Sequence, residues 1–223
     1  SCMSAAEIMS VLFFHQMKYD PKRLNSLQND GFVLSKGHAA PILYAAYAEA
    51  GSIPVSDLPN LRNFDSLLEG HPVPRLKGVR AATGSLGQGL SIGAGMALAQ
   101  QSPGQKDAGS SKKSDSRSTY VLLGDGEMAE GNVWEAMNFA SYYKLSNLTA
   151  ILDMNRLGQS EATMFQWNTE EYEHRAKAFG WRVLTVDGHS VEDLLQALDK
   201  ADKEDLPTFI IARTVKGKHG GSA

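Results

Sequence analysis

Cysteine is almost missing from these 223 residues: Cys2 stands alone. No internal disulfide can form, which fits a reducing compartment. An excess of either charge is missing too, since 22 Lys and Arg face 25 Asp and Glu for a formal net charge of −3. There is no basic footprint for nucleic acid. No apolar run approaches the ~18 residues that a membrane-spanning helix needs, and no secretory or transit pattern is visible. The expectation is a soluble, cytoplasmic protein whose partners include no nucleic acid and no membrane. An initiator methionine is also absent. The chain opens on "SCMSAAEIMSVLFF", already amphipathic, with Ser1 or Ser4 as a candidate helix cap. It closes on "KGKHGGSA", whose composition reads as a linker or an expression scar. Both ends read as truncated.

What is present is enough for a substantial core, with 42% of the residues apolar. "TYVLLGDG", "LTAILDMN", "WRVLTVDG" and "TFIIART" are short apolar runs that stop at glycine or polar residues, the pattern of buried parallel strands. Helical periodicity falls between them, at 130–144 (Val133, Met137, Ala140) and 190–203 (Val191, Leu194, Leu195, Leu198). Upstream, helical stretches are expected near 4–17 and 40–50, with a helix of small residues near 87–100. The fold class is therefore α/β, a mostly parallel sheet with helices on both faces, built from right-handed strand-helix-strand units. Residues 1–214 read as one domain, 101–118 as a solvated loop with almost no apolar content, and 215–223 as a tail.

In such sheets ligands collect beyond the carboxyl ends of the strands. Asp125, in "VLLGDGEMAEG", follows one strand end and Asn155 follows the next, 30 residues later. One strand-helix-strand unit spans that separation, so the two oxygen ligands become neighbours. Asp-Gly alone is an ordinary turn signal. Paired with Asn155 and a nearby main-chain carbonyl, Asp125 suits Mg²⁺, which takes a few protein oxygens and completes its octahedron with water and phosphate. A helix beginning soon after Gly126 favours a phosphate there.

"GDG" followed at this spacing by Asn resembles the signature of thiamine-diphosphate enzymes. More closely, "FVLSKGHAAPILYA", "EGHPVP", "ATGSLGQGLSIGAGMA", "LLGDGEMAEGNVWEAMNFASYYKLSNLTAILDMNRLGQS" and "AFGWRVLTVDGHSVEDL" resemble the amino-terminal portion of the transketolase family, in its animal form. The glycines of "GSLGQG" run G-x-x-G-x-G, not the dinucleotide order G-x-G-x-x-G.

The resemblance implies thiamine diphosphate and Mg²⁺, or Ca²⁺ in its place, as cofactors. It implies Asp125, Asn155 and the carbonyl of Leu157 as metal ligands. Ser1, His38, Gly84, Ser85, Leu86, Gly126, Asn155, Gln159 and Lys216 would be the cofactor contacts. His38 and His71 would act on protons at the substrate, and Glu130, with Glu135, would join two active sites across a homodimer through a shared carboxylate network. His219 reads either as a site histidine beside a deletion or as an imitation of one. Lys36 reads equally as a solvated charge or a site neighbour. His15 and His174 are expected at the surface, and His189 in the ordering of a turn. Trp134, Trp167 and Trp181 are expected in core or interface.

The activity implied is two-carbon ketol transfer between sugar phosphates, in the pentose phosphate pathway. In the family a pyrimidine-binding domain supplies a catalytic glutamate, and the expected partner is a domain or chain of that kind. Alone, this chain is expected to bind cofactor and turn over little. Two other readings stay open: a non-catalytic cofactor-binding or assembly module, and a different thiamine-diphosphate enzyme such as dihydroxyacetone synthase.

Overall fold

The computed structural model describes residues 1–101, 117–201 and 205–218. The solvated loop expected at 101–118 falls outside the described residues except at its two margins, and so does His219.

Five parallel strands form the sheet: β1 Gly31–Leu34, β2 Thr119–Gly124, β3 Leu148–Met154, β4 Arg182–Asp187 and β5 Thr208–Arg213. Their spatial order is β1-β2-β3-β5-β4. Every residue of β2 and β3 is buried, as a parallel strand covered on both faces requires. Alternate side chains serve opposite cores. Tyr120, Leu122, Ile151 and Ile210 join one apolar cluster with Ile8, Leu43 and Leu198. Val121, Leu123, Leu152 and Ile211 join a second with Leu90, Val133 and Tyr172. Helices α1 (Ala6–Val11), α2 (Ala40–Glu49) and α6 (Val191–Ala201) thus cover one face, and α3 (Gln88–Gln101), α4 (Gly131–Tyr142) and α5 (Thr169–Ala178) the other.

The four expected strands form, with three corrections to the detail. The short run "GFVL" makes an additional edge strand, β1, paired with β2. Strand β4 is only partly buried, because β5 inserts between it and β3 and leaves it at the other edge. In α6 the buried stripe is Leu194, Ala197, Leu198 and Ala201, while Val191 is exposed.

The stretch expected as one helix over 4–17 is a tight turn, the short α1, and a wider turn over Leu12–Gln16. Neither Ser1 nor Ser4 caps it; Ser4 Oγ instead donates to Asp153 at 2.6 Å. The small residues of α3 have a packing reason. A Cβ at Gly93 would stand 2.3 Å from Val121 Cγ2, and one at Gly89 2.3 Å from Ser35 Oγ, so the helix can lie this close to β1 and β2 only through glycine.

Candidate functional site

Because all five strands point the same way, the residues following them gather at one end of the sheet. Ser35 to His38 follow β1, Asp125 to Glu127 follow β2, Asn155 to Gln159 follow β3, and Thr214 to Lys216 follow β5.

Asp125 is 3% exposed and its carboxylate is well partnered. Oδ1 accepts from Gly126 N at 3.1 Å, and Oδ2 accepts from Arg156 N at 2.6 Å and from Thr163 Oγ1 at 3.0 Å. Burial pushes its carboxyl up to about 6, against these hydrogen bonds. In the loop after β3, Arg156, which supplies that N–H, adopts φ +64°, a left-handed conformation uncommon outside glycine. Asn155 is buried beside it, and its Oδ1 accepts from Leu157 N at 3.2 Å.

The loop then turns back: Gly158 N donates to Glu161 O at 2.8 Å and Thr163 N to Arg156 O at 2.8 Å. Trp167 fastens it to the end of β5, its ring lying 4.5 Å from the Arg156 guanidinium and its Nε1 donating to Thr214 O at 3.3 Å. From the same end of β5, Lys216 Nζ donates to the carbonyls of Gly158 at 2.6 Å and Leu157 at 3.4 Å. A cleft of about 300 Å³ opens between residues 125–129 and 158–165, lined by Asp125, Gly126, Gln159, Met164 and Tyr172 among others but not by Asn155, Leu157 or Lys216.

A second group of the expected site residues stands on neighbouring segments. His38 Nε2 lies 2.9 Å from Ser1 Oγ. Burial, and then the charge of Lys36, push His38 down to about 4, so the imidazole is neutral at physiological pH. Gly84, at φ +137°, is where His71 packs: a Cβ there would be 2.8 Å from His71 Cδ2. Gly37 likewise admits the Thr83–Gly84 backbone, whose atoms would be 2.8 Å from a Cβ. Ser85 and Leu86 are exposed beside them. Glu130 and Glu135 are exposed on and before α4, with Glu130 Cβ against Gly87.

Two buried charge systems tie these groups together, and sequence reasoning passed over most of both. Lys36, which read equally as a surface charge, is 1% exposed and ion-paired with the fully buried Asp153. Burial opposes the charge on Asp153, but the Lys36 ammonium and the hydroxyls of Ser4 and Thr214 outweigh it and hold its carboxyl below the ordinary range. Glu127, 2% exposed, accepts from Ser35 Oγ, from Gly87 N at 2.7 Å and from Gly124 N at 3.1 Å. It clamps the glycine segment to the ends of β1 and β2. A signal was available for the ion pair: Asp153 and Lys36 each interrupt or end an apolar strand run, and opposite charges buried that way need each other.

The turn before α6 is closed by Asp187, whose Oδ1 accepts from His189 N at 2.9 Å, while the His189 side chain ties two distant segments instead. Its Nε2 accepts from Val215 N at 2.9 Å and its Nδ1 lies 3.1 Å from Glu7 Oε2. His15 and His174 are exposed, Trp181 is buried, and Trp134 stacks on Phe179. Among the described residues no group of three or more His, Cys, Asp or Glu is placed to hold a metal. An ion at Asp125 would therefore draw on amide and carbonyl oxygens, which suits a hard cation.

The profile of the family described as "Transketolase, thiamine diphosphate binding domain" matches residues 1–222. A transketolase of Pongo abelii is 54% identical over 218 residues, 98% of this chain and 33% of that protein. One subunit of the apulose-4-phosphate transketolase of Phocaeicola vulgatus is 37% identical over 217 residues, 97% of this chain and 74% of that protein. Among solved structures, the transketolase of Campylobacter jejuni superposes with a TM-score of 0.83 at 36% identity, over 93% of this chain and 32% of that one. The chain thus spans about a third of the animal relative's length. It belongs to the transketolase family, as a member of its thiamine diphosphate binding domain.

Proposed function

We propose that this chain holds the diphosphate end of thiamine diphosphate through Mg²⁺, or Ca²⁺, bound by Asp125, Asn155 and the Leu157 carbonyl. The observation that carries the reading is the burial of the Asp125 carboxylate with its oxygens anchored by Gly126, Arg156 and Thr163. A carboxylate fixed in place and raised to about 6 by burial gains from a divalent cation the charge compensation its surroundings withhold. Asn155 and Leu157 add neutral oxygens. The Leu157 carbonyl has two lone pairs, so the ion and the Lys216 ammonium can share it.

When bound, thiamine diphosphate supplies a carbon nucleophile for breaking and forming bonds beside a carbonyl. This chain's residues would grip and orient. Lys216, on the arm after β5, would face the anionic diphosphate. Gly126 and the exposed Gly84, Ser85 and Leu86 would let the cofactor approach the backbone, with Gln159 at the cleft. The neutral His38, hydrogen-bonded with Ser1, and His71 over Gly84 would exchange protons with substrate hydroxyls.

In the assembled enzyme the activity would be two-carbon ketol transfer between sugar phosphates, with a pyrimidine-binding domain or chain as partner. Glu130 and Glu135 would face a second copy across a homodimer. The Phocaeicola relative, whose name makes it one subunit of a transketolase and which is only somewhat longer than this chain, supports a two-chain arrangement. Calorimetric titration of the chain with thiamine diphosphate, with and without Mg²⁺, tests the reading. Binding should require the metal and be lost in Asp125→Ala; equal affinity in the two proteins refutes it.

A further inference from the structure

The proposed chemistry makes no use of the most deeply buried charges among the described residues. Lys36 and Asp153 are 1% and 0% exposed and are paired through Nζ and Oδ2. Around them the polar groups are fully employed. Ser4 Oγ donates to Oδ2 at 2.6 Å, Thr214 Oγ1 donates to Oδ1, and Lys36 Nζ also donates to the Ser1 carbonyl at 3.3 Å.

The members share one property. Lys36 lies two residues before His38, Asp153 two before Asn155, Thr214 two before Lys216, and Ser4 three after Ser1. Each of the four chain segments that meet at this pair therefore carries, within one turn of backbone, a residue of the candidate site.

Apolar packing fills space but tolerates small rotations and slides. A buried, hydrogen-bonded ion pair tolerates them less, because its bonds weaken steeply once donors and acceptors leave alignment and no water replaces them. Desolvation offsets most of the attraction in such a pair, so it adds little net stability over apolar residues of similar volume. We propose that Lys36 and Asp153 are positioning residues: with Ser4 and Thr214 they set the relative placement of Ser1, His38, Asn155 and Lys216, and contribute little to holding the fold together. This rests on the site reading above.

The test compares Lys36→Met, Asp153→Leu and the double variant by thermal unfolding, by titration with thiamine diphosphate in Mg²⁺, and by amide hydrogen exchange. Each single variant strands one buried charge, so its Tm should drop clearly. The double variant removes both charges. Its Tm should return to within a few degrees of the wild type, while affinity stays at least tenfold weaker. Exchange should also quicken at Ala39 N, bonded to Lys36 O, and at Val215 N, bonded to His189, with the centre of β2 unchanged.

A double variant that binds within twofold of wild type, with wild-type exchange at those two amides, overturns the proposal. Should the double variant not fold, Thr214→Val decides. That change leaves the ion pair intact and should weaken binding several-fold at nearly unchanged Tm; unchanged affinity overturns the proposal. If the wild type binds no thiamine diphosphate, the site reading falls, and the exchange comparison still decides whether the pair holds these segments in place.

Discussion

The main-chain N–H of Arg156 points into the Asp125 carboxylate at 2.6 Å, and the same residue sits at φ +64°. The strain lies where two expected metal ligands, Asn155 and Leu157, flank it on either side. A left-handed conformation costs an ordinary residue about 1–2 kcal/mol, most for β-branched side chains. Arg156→Gly removes that cost and loses the contact with Trp167, worth about 0.5–1 kcal/mol, so its urea midpoint should stay near wild type. Arg156→Val should lose about 1–3 kcal/mol and weaken Mg²⁺ binding. Equal midpoints for Gly and Val would show that the conformation carries no strain.

The two shifted groups of the site act on stability in opposite senses with pH. His38 is lowered from 6.5 to about 4, so the unfolded chain takes the proton first; its contribution is complete above 6.5 and is lost as pH falls toward 4. Asp125 is raised from 3.8 to about 6; its contribution is complete below 3.8 and is lost as pH rises through 6. Between pH 4 and 6 the two slopes oppose. Relative to wild type, His38→Gln should gain stability on acidification across this window, and Asp125→Asn should lose it. Urea midpoints at several pH values read the difference. An Mg²⁺ ion bound as proposed would have to displace the Asp125 proton, so metal affinity should fall by up to about tenfold per pH unit below 6. A metal affinity that is level from pH 7 to 4.5 contradicts that assignment.

Glu127 accepts from three donors, and each of its two oxygens faces a main-chain N–H, which cannot accept: Oε1 that of Gly87 and Oε2 that of Gly124. Glu127→Gln turns one oxygen into a donor facing a donor. The expected cost is about 1–3 kcal/mol, with faster hydrogen exchange at Gly87 N. Unaltered exchange at that amide would mean that the glycine segment is held by something else.

Glycines of the site divide by what surrounds them. Gly37→Ala meets Gly84 and Thr83 backbone at 2.8 Å, which cannot swing aside as a side chain can, so it should cost about 1–3 kcal/mol and displace His38 from Ser1. Gly131→Ala, at the start of α4, meets nothing within 4 Å and should stabilise by about 0.4–1 kcal/mol. A chemical-shift map of His38 and thermal melts on both variants check the pair.

The central strands were legible because burial on both faces leaves an unmixed apolar run, as in "TYVLLG" and "LTAILDM". The edges were harder. Four residues, "GFVL", are too few for periodicity to distinguish, and β4 reads like a buried strand although its neighbour on one side is missing. Asp125 and Asn155 were legible from spacing, since one crossover brings successive strand ends together. Glu127, Asp153 and Thr214 were not, because their partners come from segments up to 149 residues away, as Ser4 is from Asp153. The opening helix failed for a related reason: Ser4, which local rules assign to a cap, is taken by a distant carboxylate.

The last strand in chain order, β5, is not the last in space: it sits between β3 and β4. During synthesis, β4 therefore has no strand to pair with in its final position until residues 208–213 have left the ribosome, and β3 offers a bare edge in the meantime. Thr214 and Lys216 emerge just behind. The five-stranded sheet and the arm that carries Lys216 are thus completed together, when β5 slots between β3 and β4.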